Sequence, residues 1–289
     1  MLYLLPLASA LIYPIGGIFL KRGMAEGGGF YRGVIVSNLF MAACFPLLLF
    51  FGDAPNWEHV FWPVVSGIGF FLGQLFTVIA IRVGDVSVQA PLMGTKVVFV
   101  AVYSTFLKPD EVPPLLWFGA TVTAIAVFLI GGTSLKAFRK AWKTILFSLI
   151  SCAFFGLTDT LVGYRSQEFG AVPFIVTMTM ILGGLSFLLL PFVKGRFRDI
   201  PRTAWKSLAI GGGAMGLQAV ILNLSLTTFG QATAQNIVYS SRGLFGVLII
   251  WLIGSFLGNR EALVAGPSEM RRRLAGSVLL CVAIAIVIW

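Results

Sequence analysis

Apolar runs of about twenty residues recur from one end of this chain to the other, and no soluble-looking stretch separates them. A run of that length, coiled as a helix at about 1.5 Å per residue, matches the roughly 30 Å hydrocarbon core of a bilayer. The runs occupy residues 2–21, 31–51, 60–82, 86–107, 113–132, 144–164, 171–193, 205–228, 231–254 and 272–289. They predict an all-α integral membrane protein with ten transmembrane helices. Barrel strands are excluded, since those alternate polar and apolar residues over about ten positions. Composition agrees: 58% of the 289 residues are apolar and 11% charged, against about 25% charged in a soluble domain. The first run has no basic leader, and its small-residue site at Ala8-Ser9-Ala10 falls too early for cleavage, so it reads as a retained helix.

Charge gives an expected orientation. Alternate connections hold Lys21, Arg22 and Arg32; Arg82; Lys136, Arg139, Lys140 and Lys143; Lys194, Arg196, Arg198, Arg202 and Lys206; and Arg260, Arg271, Arg272 and Arg273. The other connections hold only Lys108 and Arg165, and one of them carries Asp53, Glu58 and the single His59. The positive-inside rule then puts the first set in the cytoplasm and both termini outside, in a cell (inner) membrane. The net charge of +10 is accounted for by this bias and by anionic lipid, so no nucleic-acid partner is expected. Trp57, Trp62, Trp117, Trp142, Trp205 and Trp289 fall near span ends, as interfacial anchors do. Cys44, Cys152 and Cys281 lie inside apolar runs without CxxC spacing and read as buried thiols.

The chain also repeats itself. Gly84-Asp85-Val86-Ser87-Val88-Gln89 aligns with Gly230-Gln231-Ala232-Thr233-Ala234-Gln235, and the same ungapped register pairs Met93 with Tyr239 and Lys96 with Arg242, an offset of 146 residues. Gly69-x-x-x-Gly73 pairs with Gly212-x-x-x-Gly216 at an offset of 143, as close-packing sites. Glu111 of KPDE faces Glu261 of GNRE. Residues 1–135 and 136–289 would each supply five spans, an odd number, so the second copy crosses the membrane in the opposite sense. Inverted repeats of this kind suit alternating access about a central site.

With these features the chain resembles the drug/metabolite transporter superfamily in its ten-helix, EamA-like form. The resemblance rests on two five-span repeats, a short turn from third to fourth span, a small-residue-rich fourth span and the acids that follow it, Glu111 and Glu261. It implies a transporter, but its members carry solutes from amino acids to nucleotide-sugars, so it does not imply a substrate. In phosphate-translocating relatives, basic residues on the fourth and ninth helices grip the phosphate, and Lys96 and Arg242 occupy similar positions. Those relatives carry adjacent Lys and Arg on the ninth helix, whereas Arg242 stands between Ser241 and Gly243; a carboxylate is then as suitable a ligand as a phosphate.

Lys96 and Arg242 sit mid-span, where a cation costs at least about 2.5 kcal/mol on insertion scales. Asp159 is the acid placed well inside a span. Two readings stay open: Asp159 pairs with one cation while carbonyls or water satisfy the other, or both cations line a cavity and hold an anionic substrate. Spacing of i, i+4 and i+7 puts Gln89, Met93 and Lys96 on one face, and likewise Gln235, Tyr239 and Arg242. Gln74 and Gln218 are further cavity candidates; Asn38, Asn223 and Asn236 serve equally as interhelical ties. Pro14, Pro46 and Pro91 are candidate kinks in the first, second and fourth spans.

The expected function is a secondary transporter of a small organic anion or carboxylate-bearing metabolite, with Asp159 and Lys96 as candidates for coupling to protons. The alternative is an exporter of amphipathic or cationic compounds, amino acids included, with Asp159 as the binding anion. No GxxxxGK[ST] loop occurs, so ATP drive within the chain is not expected; the sole histidine, His59, lies in an acidic connection without a metal-spaced partner, so neither an enzymatic activity nor a cofactor is expected. The partners are a small-molecule substrate and membrane lipid.

Overall fold

A computed structural model describes residues 3–107, 135–229, 232–257 and 259–288. Regular structure among these residues is helical. Seven helical stretches are long and apolar enough to cross a membrane, and a shorter apolar one covers Val238–Ile253. Large apolar side chains face outward, including Phe50 at 84% and Phe256 at 88% exposure. That combination is the architecture of a multi-pass membrane protein, because lipid rather than water tolerates such a surface. The predicted fifth span, with Lys108, Glu111 and Trp117, lies outside the described residues, as do Gly230, Gln231 and Trp289.

Helix α1 covers Leu4–Gly23, α2 Phe30–Ala43 and α3 Phe61–Val83. The fourth predicted span is broken into α4 (Val86–Leu92), a 3₁₀ turn at Met93–Thr95 and α5 (Lys96–Leu107). Then come α6 (Leu135–Phe169), α7 (Ala171–Ser186) and α8 (Arg202–Phe229). The ninth span is broken too, into α9 (Ala232–Ser240) and α10 (Arg242–Ile253), and α11 runs over Glu261–Ile288.

Several expected boundaries change for local reasons. Helix α6 runs past both ends of the 144–164 run and so takes in Lys143 and Arg165, which the sequence reading assigned to connections. It stops at Phe169 because Gly170 follows with φ 107°, a backbone state open to glycine and strained for other residues. Arg271, Arg272 and Arg273 are helical as well, since α11 resumes straight after a break at Gly266 and Pro267. Pro14 leaves α1 continuous, Pro46 opens a 3₁₀ turn after α2 has ended, and Pro91 immediately precedes the break between α4 and α5.

Small residues set the packing. Helices α1 and α8 lie against each other through Gly16, Gly23 and Gly211, where an added Cβ would meet Met215, Leu208 and Leu20 at 3.0, 2.7 and 2.8 Å. Helix α3 packs on α6 in the same way, with Gly73 facing Phe155 at 2.9 Å. The two GxxxG motifs are packing sites but not equivalent ones. Gly69 and Gly73 face α6, whereas Gly212 and Gly216 face α2 at Ser37 and Cys44, so the 143-residue pairing does not describe the same contact.

Among the described residues, four of the five basic connections meet at one end of the molecule. There Arg32 Nη1 donates to the Arg196 carbonyl at 2.9 Å, Ser207 Oγ to Glu26 at 3.0 Å, and Lys21 Nζ to the Gly84 carbonyl at 2.6 Å and to Glu261 at 2.8 Å. At the other end the Asn56 amide donates to the Phe169 carbonyl at 2.9 Å, and His59 faces Glu168. The three cysteines are free thiols.

Candidate functional site

Both mid-span cations begin a helix. Lys96 is the first residue of α5, directly after the 3₁₀ turn at Met93–Thr95, and Arg242 the first of α10, directly after the single turn residue Ser241, so each charge sits where its span tightens by about one turn. The broken helices bring them together. A Cβ on Gly243 would lie 2.6 Å from Pro91 Cα, and one on Gly246 would lie 2.7 Å from Ala90 Cβ, so α4 and α10 cross almost backbone to backbone.

Lys96 and Arg242 are buried to 3% and 2% exposure, but their surroundings differ. The Lys96 ammonium bonds to Asp159 of α6 and stands 4.7 Å from the centre of the Tyr239 ring. The Arg242 guanidinium donates from Nη2 to the Met93 carbonyl and stands 4.1 Å from the Tyr239 ring centre and 4.8 Å from that of Tyr13. Two cations therefore share one aromatic ring and can be no further apart than the sum of their distances to it. Aromatic faces attract cations but carry no net charge. Among the described residues no carboxylate pairs with Arg242, and its Nε, fully buried, has no hydrogen-bond partner.

A polar network frames this cluster. Gln89 Nε2 donates to the Tyr13 hydroxyl at 2.9 Å, and the Tyr239 hydroxyl donates to Gln218 Oε1 at 2.7 Å, where Ser9 Oγ also donates at 3.1 Å. Tyr13 and Tyr239 meet edge to face with centroids 6.3 Å apart. Of the residues singled out from sequence, Lys96, Arg242, Tyr239, Asp159, Gln89 and Gln218 belong to this network. Met93 contributes its backbone carbonyl rather than a side-chain surface, because the 3₁₀ turn it opens interrupts the expected i, i+4, i+7 stripe. Gln235 donates to the Ser225 carbonyl at 3.0 Å and so ties α9 to α8. Gln74 is buried, and its Nε2 has no partner among the described residues. Asn38 bonds Ser186 at 2.9 Å, an interhelical tie. Asn223 and Asn236 donate to backbone carbonyls one turn back in their own helices.

Sequence reasoning missed Tyr13 and Ser9. The signal for Tyr13 was the 146-residue offset itself, which carried upstream sets Tyr13 against Asp159.

A separate cavity of about 510 Å³ opens at the basic end, lined among others by Lys21, Asp85, Arg260, Glu261 and Arg273. On one side it is bounded by the start of α4, whose Val86 and Ser87 amides donate to the Glu261 carboxylate at 2.9 and 3.1 Å. Arg273 bonds Asp85 at 2.9 Å as well as Ser87 and Glu269. Its lining does not include Lys96 or Arg242.

The architecture has a solved counterpart. The chain is similar to a structure described simply as the crystal structure of a protein, with a TM-score of 0.66 and 14% sequence identity over 99% of this chain and 94% of that one. At that identity the likeness is one of fold. No known family profile matches the chain, and no curated protein does.

Proposed function

We propose that the chain is a ten-helix secondary transporter of the EamA-like type, built from two inverted five-helix repeats, and that it moves a small organic anion by alternating access. The observation that carries this reading is Arg242: a permanent cation, almost wholly buried at a helix break, with no carboxylate partner among the described residues. Ionisable groups inside a membrane default to function, and transporters built from inverted repeats hold their substrates near mid-depth where the repeats meet. Arginine suits the task, since its planar guanidinium keeps its proton and grips a carboxylate through two parallel bonds.

The pattern of contacts supports the repeat. Exchange the halves, and α1 packed on α8 corresponds to α6 packed on α3, and α2 beside α8 corresponds to α7 beside α3. The breaks before Lys96 and Arg242 also correspond. The clustering of the basic connections at one end supports placing that end in the cytoplasm and both termini outside. The open cavity would then be a cytoplasmic vestibule, with the cation pair occluded beyond it. Asp159 is committed to Lys96, which weighs against a cation exporter that would need it free.

The test is binding by purified protein in nanodiscs to carboxylates, phosphate and quaternary amines, read as a rise in apparent stability, with uptake of whichever binds into proteoliposomes. Arg242→Ala should abolish anion binding. Anion binding unchanged in Arg242→Ala, or a response to quaternary amines alone, refutes the assignment.

A further inference from the structure

The offset that pairs Lys96 with Arg242 also pairs Tyr13 with Asp159, and the structure brings these four residues together in matching fashion. Asp159, on α6, meets the cation of the first half, while Tyr13, on α1, lies under the cation of the second half. An independent contact follows the same register. A Cβ on Gly17 would meet Val86 at 3.4 Å, and one on Gly163 would meet Ala232 at 2.9 Å; each member of the first contact lies 146 residues before its counterpart. The two cation sites therefore occupy equivalent places, and although Met93 and Tyr239 also differ, the position that changes their charge balance is the one held by Tyr13 and Asp159. One cation is given a carboxylate. The other is given a phenol ring.

We infer that Tyr13 sets the charge specificity of the site: by standing where its counterpart is an aspartate, it leaves Arg242 unneutralised and makes the site selective for a monovalent carboxylate. This rests on the anion reading above and deepens it. Lys96 and Asp159 cancel, Tyr13 and Tyr239 are neutral, and Arg242 retains its proton under all ordinary conditions, so the cluster carries one positive charge in excess. A monocarboxylate brings it to zero. A dianion such as sulfate or a dicarboxylate overshoots, and a zwitterion leaves the excess in place; each keeps an uncompensated charge out of water. Arg242 offers its buried, unpartnered Nε beside Nη donors, an edge that matches the two oxygens of a carboxylate. The Tyr13 and Tyr239 rings stand 4.8 and 4.1 Å from the guanidinium carbon, and Gln89 Oε1, on the side chain that donates to the Tyr13 hydroxyl, is buried without a partner among the described residues.

The experiment uses the purified full chain in nanodiscs and reads apparent stability against lactate and benzoate as monoanions, succinate and sulfate as dianionic probes, betaine as a zwitterion and tetramethylammonium as a cation. Monocarboxylates should stabilise the wild type most. Tyr13→Asp supplies the missing carboxylate and should weaken monocarboxylate binding by about tenfold or more. Adding Asp159→Tyr to that variant leaves Lys96 as the single free cation, and monocarboxylate binding should return. Asp159→Asn alone leaves two free cations and should shift preference toward succinate or sulfate; it decides the matter if the double variant yields no monodisperse protein. Wild-type preference for a dianion, undiminished binding in Tyr13→Asp, or unchanged preference in Asp159→Asn each overturns the inference while leaving an anion transporter in place. A wild type that responds to none of the anions overturns the anion reading itself, and the inference with it.

Discussion

Replacing Glu261 by alanine tests how the second half of the chain holds the first. The Glu261 carboxylate, with a side-chain exposure of 7%, accepts from the Val86 and Ser87 amides at 2.9 and 3.1 Å and from Lys21 Nζ at 2.8 Å. Two of the first amides of α4 thus find their acceptor some 175 residues away in sequence. Losing a carboxylate cap of this kind costs about 1–2 kcal/mol. The Lys21 bond adds at most about 1 kcal/mol, because Lys21 is 29% exposed and keeps its bond to the Gly84 carbonyl. The expected loss is therefore about 1–3 kcal/mol, measured by SDS-induced unfolding from mixed micelles followed through tryptophan fluorescence. Glu261→Gln should fall between the alanine variant and the wild type, since its amide nitrogen cannot accept from the second N–H. Glu58→Ala, at an exposed position of the opposite end, should stay within about 0.5 kcal/mol. A Glu261→Ala protein as stable as the Glu58→Ala control would refute the idea that this cap anchors α4.

Three further outcomes follow from the geometry. Lys96→Met or Asp159→Leu alone strands a buried charge and should cost about 3–5 kcal/mol, whereas the two together should cost much less, a coupling that a double-mutant unfolding cycle measures directly. Gly243→Val pushes a side chain into the Pro91 backbone and should lower the folded yield by size-exclusion chromatography, while Gly184→Ala, with open space around it, should be neutral or stabilising by up to about 1 kcal/mol. In a cysteine-free background, His59→Cys and Arg196→Cys should react with an impermeant maleimide from opposite faces of a sealed membrane; labelling from the same face would contradict the separation of the two ends.

Much of the site was legible before any coordinates. Lys96, Arg242 and Asp159 stand out because an ionisable residue inside an apolar run has to be explained, and Tyr239, Gln89 and Gln218 follow from spacing or from the repeat. The helix breaks were not legible. Pro91 hinted at one, but Ser241 carries no strong breaking signal, and an apolar run reads alike whether its helix is continuous or interrupted. Nor could periodicity tell that Gln235 turns toward Ser225, because a face of a helix is defined by its spacing while its neighbour is chosen by the fold.

The sequence by itself determined that this chain is helical and lives in a membrane, because apolar length and charge scarcity act locally and need no knowledge of the fold. It also determined which cations demand partners. Which partner each one receives was decided only by tertiary structure, since Asp159 and Tyr13 reach Lys96 and Arg242 across 63 and 229 residues of chain. Electrostatic pairing depends on distances of a few ångströms, and those are fixed by where glycine lets α1 lie against α8 and α4 against α10.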